Sequence, residues 1–297
     1  MVRVGSDALA YEVDEGWGRL PFGFTWGHIS AVNVDPEDRV RLYTRTAHPV
    51  MIFDRDGAFV ESFGEGDMDD PHGLGIDAEG SFYFVDRGAH VVMKYTASGA
   101  KVWEIGRRGV PSDTGWTAEE RKVLRAAEPF NWPTDIAMAA DGGFYVSDGY
   151  RNARVHKFSA DGKLEHSWGA PGAGPGEFNL VHSVWEHEGT VYVADRENQR
   201  IQRFTPAGDY IDEWSGLSQP TDICVDDAGL VYVSELGGRV TIFTTDGEVL
   251  AHLGSTTDRA REPGKFLSPH GIWADRHGDV YVTETLDGQR IQKFRRI

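Results

Sequence analysis

The sequence predicts an all-β fold, a six-bladed β-propeller, from three observations. A strand unit of about 40 residues, the size of one propeller blade, recurs six times along the 297 residues. Asp-Gly pairs, at Asp56-Gly57, Asp141-Gly142, Asp161-Gly162 and Asp246-Gly247, separate runs rich in Val, Ile, Tyr and Phe, which is hairpin chemistry. The last copy stops one strand short, while an unassigned strand, ALAYEVDEGW, precedes the first. That N-terminal strand is expected to complete the last blade and close the ring, making residues 1–297 a single domain.

Taken in order, copy one (ISAVNVDPEDRVRLYTRTAHPVMIFDRDGAFVESFG) is degenerate but keeps its turns. Copy two begins PHGLGIDAEGSFYFVDRGAH, copy three WPTDIAMAADGGFYVSDGY and copy four NLVHSVWEHEGTVYVADRENQRIQRF. Copy five begins QPTDICVDDAGLVYVSE, and copy six, SPHGIWADRHGDVYVTETLDGQRIQKFRRI, ends after its third strand. Between copies two and three, residues 107–131 contain TAEERKVLRAAE, with Thr117 as N-cap and Glu120 closing a capping box. A short helix over one rim is expected there, either a lid over the channel mouth or a plain surface excursion. Tryptophans such as Trp103, Trp168 and Trp214 end fourth strands and read as packing between blades.

Composition bounds the function. The hydrophobic fraction of 40% suits a globular protein with a sizeable core, and no run approaches the roughly 18 apolar residues of a membrane helix. A net charge of −17 repels phosphate backbones and anionic lipid, so neither nucleic acid nor membrane is expected as partner. Cys224 is the only cysteine, which excludes an intramolecular disulfide and fits a reducing cytoplasm. No apolar stretch with a small-residue cleavage site opens the chain, so a secretory leader is not expected. A mature secreted form is the alternative.

Function is expected where the copies differ. At one register, the start of the first strand, copies two, four and six carry His72, His182 and His270. Copies one, three and five carry Ser30, Thr134 and Thr221 there. In a closed ring, histidines on alternate blades point at one central spot, and three imidazoles meeting there make a metal site with an open position. The other eight histidines recur in no convergent register. Strand two of an antiparallel blade ends at the same rim, which brings in Arg45, Asp86-Arg87, Asp148-Gly149-Tyr150, Asp195-Arg196, Glu235 and Glu284. Asp86, Asp148 and Asp195 read as structural acids bonding the backbone of neighbouring blades. Asp135 and Asp222 either orient the imidazoles as outer partners or cap the strand starts.

These residues reach a known family. PHGLGID, SDGYRNARV, VHSV, ADRENQRIQRF and SPHGI resemble NHL-repeat six-bladed propellers, and within them the peptidyl-α-hydroxyglycine α-amidating lyases (peptidylamidoglycolate lyases), over all six copies. ADRENQRIQRF is common to NHL repeats in general. The histidines, the tyrosine after SDG and the arginine of YTRTAH are more specific. The resemblance implies that His72, His182 and His270 hold Zn2+ or another divalent transition metal. It further implies that Tyr150 is the catalytic tyrosine, Arg45 the active-site arginine and Arg196 a second arginine near the site. Two departures count. Ser268 stands where the family has a methionine, and Gly271 replaces an acidic residue that helps hold its structural calcium, which puts Ca2+ in doubt. The family's disulfides are missing and no monooxygenase domain accompanies the copies, so a bacterial-type cytoplasmic relative is expected.

The expected reaction is therefore metal-dependent cleavage of the C–N bond of an α-hydroxyglycine-type carbinolamide, giving an amide and glyoxylate. Three neutral imidazoles leave a divalent ion its charge and an open position that polarises an oxygen ligand. A phenol ionises near pH 10 in water, so a tyrosine acting as base needs a cation beside it. A guanidinium can grip a substrate carboxylate through its planar fork. The alternatives are a lactonase-like metal-dependent hydrolase on a small molecule, and an NHL interaction propeller without chemistry.

Overall fold

The computed structural model describes residues 2–297. The chain is an all-β six-bladed propeller, with five four-stranded sheets and one five-stranded sheet as blades. It divides into two compact units of three blades each, one comprising the chain up to Asp67 together with Thr221–Ile297, the other Met68–Pro220.

In the Met68–Pro220 unit, blade two runs Pro71–Ile76, Phe82–Asp86, Val91–Tyr95 and Lys101–Gly106. Blade three runs Pro133–Met138, Phe144–Asp148, Arg154–Phe158 and Leu164–Trp168, and blade four Val181–His187, Thr190–Asp195, Arg200–Phe204 and Tyr210–Ser215. Strands one to three of each blade are largely buried, whereas the fourth is half-buried to exposed. This explains why the repeats read as near-continuous apolar runs with a weaker last strand. Rings from adjacent blades interlock: Phe144 stacks on Trp103 at 5.6 Å and meets Tyr83 at 5.4 Å, and Trp168 packs on Phe204 at 5.8 Å. Trp214 packs on Tyr192 of its own blade.

In the other unit, blade one runs Ile29–Val34, Val40–Thr44, Val50–Phe53 and Phe59–Phe63, and blade five Pro220–Val225, Val231–Glu235, Arg239–Phe243 and Val249–Gly254. Blade six comprises Pro269–Ala274, Val280–Glu284 and Arg290–Arg296, and the N-terminal strand Ala10–Asp14 pairs with the last of these in the register Tyr11↔Arg296. The expected closure by the N-terminal strand is therefore present, with one further short strand, Arg3–Gly5, outside it.

The expected helix over 107–131 does not form; no helix occurs among the described residues. The capping geometry is present, since the Glu120 N–H donates to the Thr117 hydroxyl and the Arg121 N–H to the Thr117 carbonyl. One turn results, and Arg121 then adopts φ 51°, a left-handed conformation that ends it. The Leu124 and Arg125 N–H groups donate instead to the Thr114 carbonyl. So short a segment cannot offset helix nucleation without an apolar face buried along its length.

Tyr11 tests the ring closure. It is fully buried, with its hydroxyl 3.2 Å from that of Tyr232. Tyr11→Ala is expected to destabilise the protein by about 3–5 kcal/mol, the usual range for emptying a buried aromatic site, read by urea unfolding. A loss below about 1 kcal/mol would mean that the N-terminal strand is a loose appendage.

Candidate metal and active site

The register that carries the histidines is a bulge. In blade two Pro71 pairs with Asp86 and Gly73 with Val85, so His72 is the extra residue. Thr134 is skipped in blade three, His182 in blade four and Ser30 in blade one. In blade six His270 and Gly271 are both skipped. A bulge residue leaves the pairing ladder and its side chain can be re-aimed. The same irregularity therefore presents either an imidazole or a hydroxyl.

Thr134 shows why the two alternate. Its carbonyl accepts the His72 Nδ1–H at 2.6 Å. A carbonyl can only accept, so Nδ1 carries the proton and the neutral ring presents the lone pair at Nε2. Its hydroxyl lies 2.9 Å from the Ser147 carbonyl and 3.0 Å from the Val181 carbonyl, one residue before His182. One residue thus orients the histidine of the blade before it and anchors the chain entering the next. In the other unit the Ser30 carbonyl likewise accepts from His270 Nδ1 at 2.7 Å, and the Thr221 hydroxyl lies 3.2 Å from the Pro269 carbonyl, one residue before His270.

Tyr150 follows the second strand of blade three. Gly149 before it lies so close to blade four that a Cβ would sit 2.0 Å from the Val181 carbonyl oxygen, which only glycine permits. The Tyr150 hydroxyl lies 3.1 Å from Nε2 of both His72 and His182, whose ring centroids are 5.0 Å apart. A phenol has one proton and can donate to only one of the two rings, so this cluster is rich in lone pairs. Three buried histidines could bind a metal ion, and neutral imidazole nitrogen suits zinc and its first-row neighbours.

Arg196 Nη1 is 3.5 Å from the Tyr150 hydroxyl, and the Arg87 guanidinium lies 4.6 Å from the Tyr150 ring centroid and 4.8 Å from that of Trp132. Asp70 holds Arg87 in place at 2.8 Å. Of the expected site residues, His72, His182, Tyr150 and Arg196 thus meet within the Met68–Pro220 unit. His270 and Arg45 lie in the other, where Arg45 is half-buried and its backbone N–H donates to the His28 carbonyl. Arg87 was expected on this rim but was given no role, although its place after Asp86 matches that of Arg196 after Asp195.

The remaining acids have other work. Asp86 accepts from the backbone N–H groups of Asp69, Asp70 and Ala89, Asp148 from that of Asn131 and Asp195 from that of Asn179. They are structural, but they bind the chain entering their own blade rather than a neighbour. Burial raises the Asp195 carboxyl, against the pull of Asn198, Asn179 and Arg200. Asp135 accepts from the Ser183 hydroxyl and Asp222 from the Ile272 N–H, so both tie adjacent blades.

A cleft of about 1150 Å³ opens beside Tyr150, lined also by Arg196, Glu197, Pro171 and, from the 107–131 segment, Trp116, Arg121 and Leu124.

An NHL-repeat family model matches residues 130–158. A Caenorhabditis elegans protein named a probable peptidyl-alpha-hydroxyglycine alpha-amidating lyase is 37% identical over 52% of this chain and 43% of its own length. Peptidyl-alpha-hydroxyglycine alpha-amidating lyase 2 of Drosophila melanogaster is 29% identical over 91% of this chain and 71% of its own. Human NHL repeat-containing protein 3 is 29% identical over 97% and 85%. The match thus spans less than half of the worm relative and most of the other two. Among solved structures, a streptogramin B lyase superposes with a TM-score of 0.66 at 16% identity, covering 97% of this chain and 98% of its own, a likeness of fold. The chain is a six-bladed propeller that carries an NHL repeat at residues 130–158 and resembles the peptidyl-α-hydroxyglycine α-amidating lyases.

Two measurements test the scaffold. Thr134→Val removes a buried hydroxyl and leaves the Val181 carbonyl without that donor, an expected loss of about 1–3 kcal/mol in urea unfolding; an unchanged midpoint would remove the anchoring role. His90 Nδ1 accepts the Trp132 backbone N–H at 3.1 Å, and burial lowers the His90 ring's pKa, with Arg151 adding to the effect against the pull of Asp148. The unfolded ring binds its proton more readily, so this contribution is full above about pH 6.5 and is lost as pH falls from there through the folded value. His90→Gln, which keeps an acceptor but cannot titrate, should lose less stability than wild type between pH 7.5 and 5.5; an equal loss in both proteins would contradict this.

Proposed function

We propose that the protein is a metal-dependent lyase that splits the C–N bond of an α-hydroxyglycine-type carbinolamide into an amide and glyoxylate. The observation that carries this reading is the placement of one phenol hydroxyl 3.1 Å from two buried imidazole nitrogens, with an arginine at 3.5 Å. The names of the worm and fly relatives support the reaction class.

In this reading His270, at the same bulge in blade six as His72 in blade two and His182 in blade four, completes a three-imidazole set. Zinc, or another divalent transition metal, would supply positive charge to a hydroxyl or carboxylate oxygen at its open position. Calcium has no comparable support, since Gly271 offers no carboxylate. Tyr150 takes the carbinol proton, the oxygen's electrons form the C=O bond of glyoxylate, and the C–N bond breaks towards nitrogen. The amide nitrogen takes up a proton as it leaves. Arg87 and Arg196 stand beside the phenol and stabilise the phenolate form that takes the proton. Arg45 grips the substrate carboxylate. The ligand is thus a small anionic molecule.

Elemental analysis of gently purified protein is expected to find about one divalent transition metal per chain, lost in His182→Ala. Tyr150→Phe should keep the metal and lower glyoxylate release by about 10²–10⁴-fold, the usual weight of general acid–base catalysis. Full turnover in Tyr150→Phe would remove the tyrosine's role. A wild-type protein that binds no metal and releases no glyoxylate would overturn the reading.

A further inference from the structure

We propose that the cleft beside Tyr150 is the subsite for the substrate's acyl group, and that it takes an acyl chain with an apolar body and an anionic far end. This rests on the lyase reading, which places the reacting atoms at Tyr150, and it names the substrate class that reading leaves open.

Size comes first. At about 1150 Å³ the cleft is as large as sites that enclose drug-sized ligands, about 300–1,000 Å³. The reacting hydroxyglycine group fills a small part of it.

Construction comes second. The 107–131 segment lacks a helix but is fastened to the rim of blade three. The Arg151 guanidinium is sandwiched between Trp116 at 3.9 Å and Trp132 at 3.5 Å. Thr114 Oγ1 donates to the Arg151 carbonyl at 2.7 Å, and Asn152 exchanges hydrogen bonds with the Ala127 backbone in both directions. The cleft wall is therefore formed before a ligand arrives, which lowers the ordering cost of binding.

Chemistry comes third. Leu124, 53% exposed, and Trp116 and Pro171 give the cleft apolar surface. Arg121 and Lys122 also line it. Their neighbour Arg125 is paired with Asp113, whereas Arg121 and Lys122 form no ion pair among the described residues. In a chain with 47 acidic and 30 basic side chains, two adjacent unpaired cations run against the average surface. Glu197, the acid of the lining, is already paired with Arg196. An acyl chain lying along Leu124 and Trp116 would bring its far end to Arg121 and Lys122.

The test compares α-hydroxyglycines acylated with acetyl, hexanoyl and adipoyl groups: short, apolar, and apolar with a distal carboxylate. In wild type kcat/KM should rise in that order. The double variant Arg121→Asn, Lys122→Gln, in which asparagine keeps the left-handed backbone, should lose the adipoyl advantage by about fivefold, as exposed charge pairs allow. The loss should fall in KM, with kcat and the hexanoyl substrate unchanged. Leu124→Ser should weaken hexanoyl and adipoyl substrates alike and spare the acetyl one. Equal kcat/KM for all three substrates in wild type would overturn the subsite while leaving the lyase reading intact. Calorimetry with N-adipoylglycine, which lacks the hydroxyl, separates the two failures. Binding that depends on Arg121 and Lys122, without turnover of any substrate, would keep the subsite and sink the lyase. No binding and no turnover would sink both.

Discussion

Everything at the site depends on the β-bulge that opens the first strand. Were His72 or Thr134 in register, each would join the pairing ladder and its side chain would stand over a sheet face already filled by neighbouring blades. Skipping one residue releases it. The fold then uses the released position in two ways that need each other. The hydroxyl residue is small enough to be wholly buried, and it spends its hydroxyl on the next blade and its carbonyl on the previous blade's imidazole. An imidazole in its place would lose the hydroxyl contact to the next blade. Thr134 thereby supports His72, and Ser30 supports His270 in the same way.

Tyr150 depends on a different closeness. Its hydroxyl can meet both Nε2 atoms only because Gly149 lets the end of blade three touch the start of blade four. Its ring is held from the side by the Arg87 guanidinium, itself fixed by Asp70 and shared with Trp132. Trp132 is fixed in turn by His90 at its N–H and by Arg151 on its ring. Stacked cations and rings thus run from Trp116 through Arg151, Trp132 and Arg87 to Tyr150. The segment that carries no regular structure is joined to the Tyr150 ring by contacts that need none.

Six blades, their turns and the shared register of His72, His182 and His270 were legible because they depend on local spacing. So was the company of Tyr150 and Arg196, because strand two of an antiparallel blade ends beside the start of strand one. The bulge was not legible, since a skipped residue shows only when its pairing partners are known. For the same reason Asp135 and Asp222 could be read either as partners of the imidazoles or as caps of the strand starts, when backbone carbonyls already filled the first role for His72 and His270. Thr117 and Glu120 gave a true capping signal for a helix that did not follow. A cap satisfies donors at a helix start, but it cannot supply the packing that carries a short helix past its first turn.

The distribution of charge makes the last connection. The chain carries a large acidic excess, yet the acids nearest Tyr150 are bonded elsewhere. Asp86, Asp148 and Asp195 spend their oxygens on backbone N–H groups of the entering chain, and Asp70 on Arg87. Glu197 is taken by Arg196 and Gln219. Cations are treated oppositely: Arg87 and Arg196 face the phenol, and Arg121 and Lys122 face the cleft. Cations gathered in a cleft with low-dielectric walls focus their field on what enters it, while a distributed negative surface is screened within about 8–10 Å at ordinary salt. An acidic protein can therefore present a locally cationic cleft, which is what the proposed anionic substrate requires.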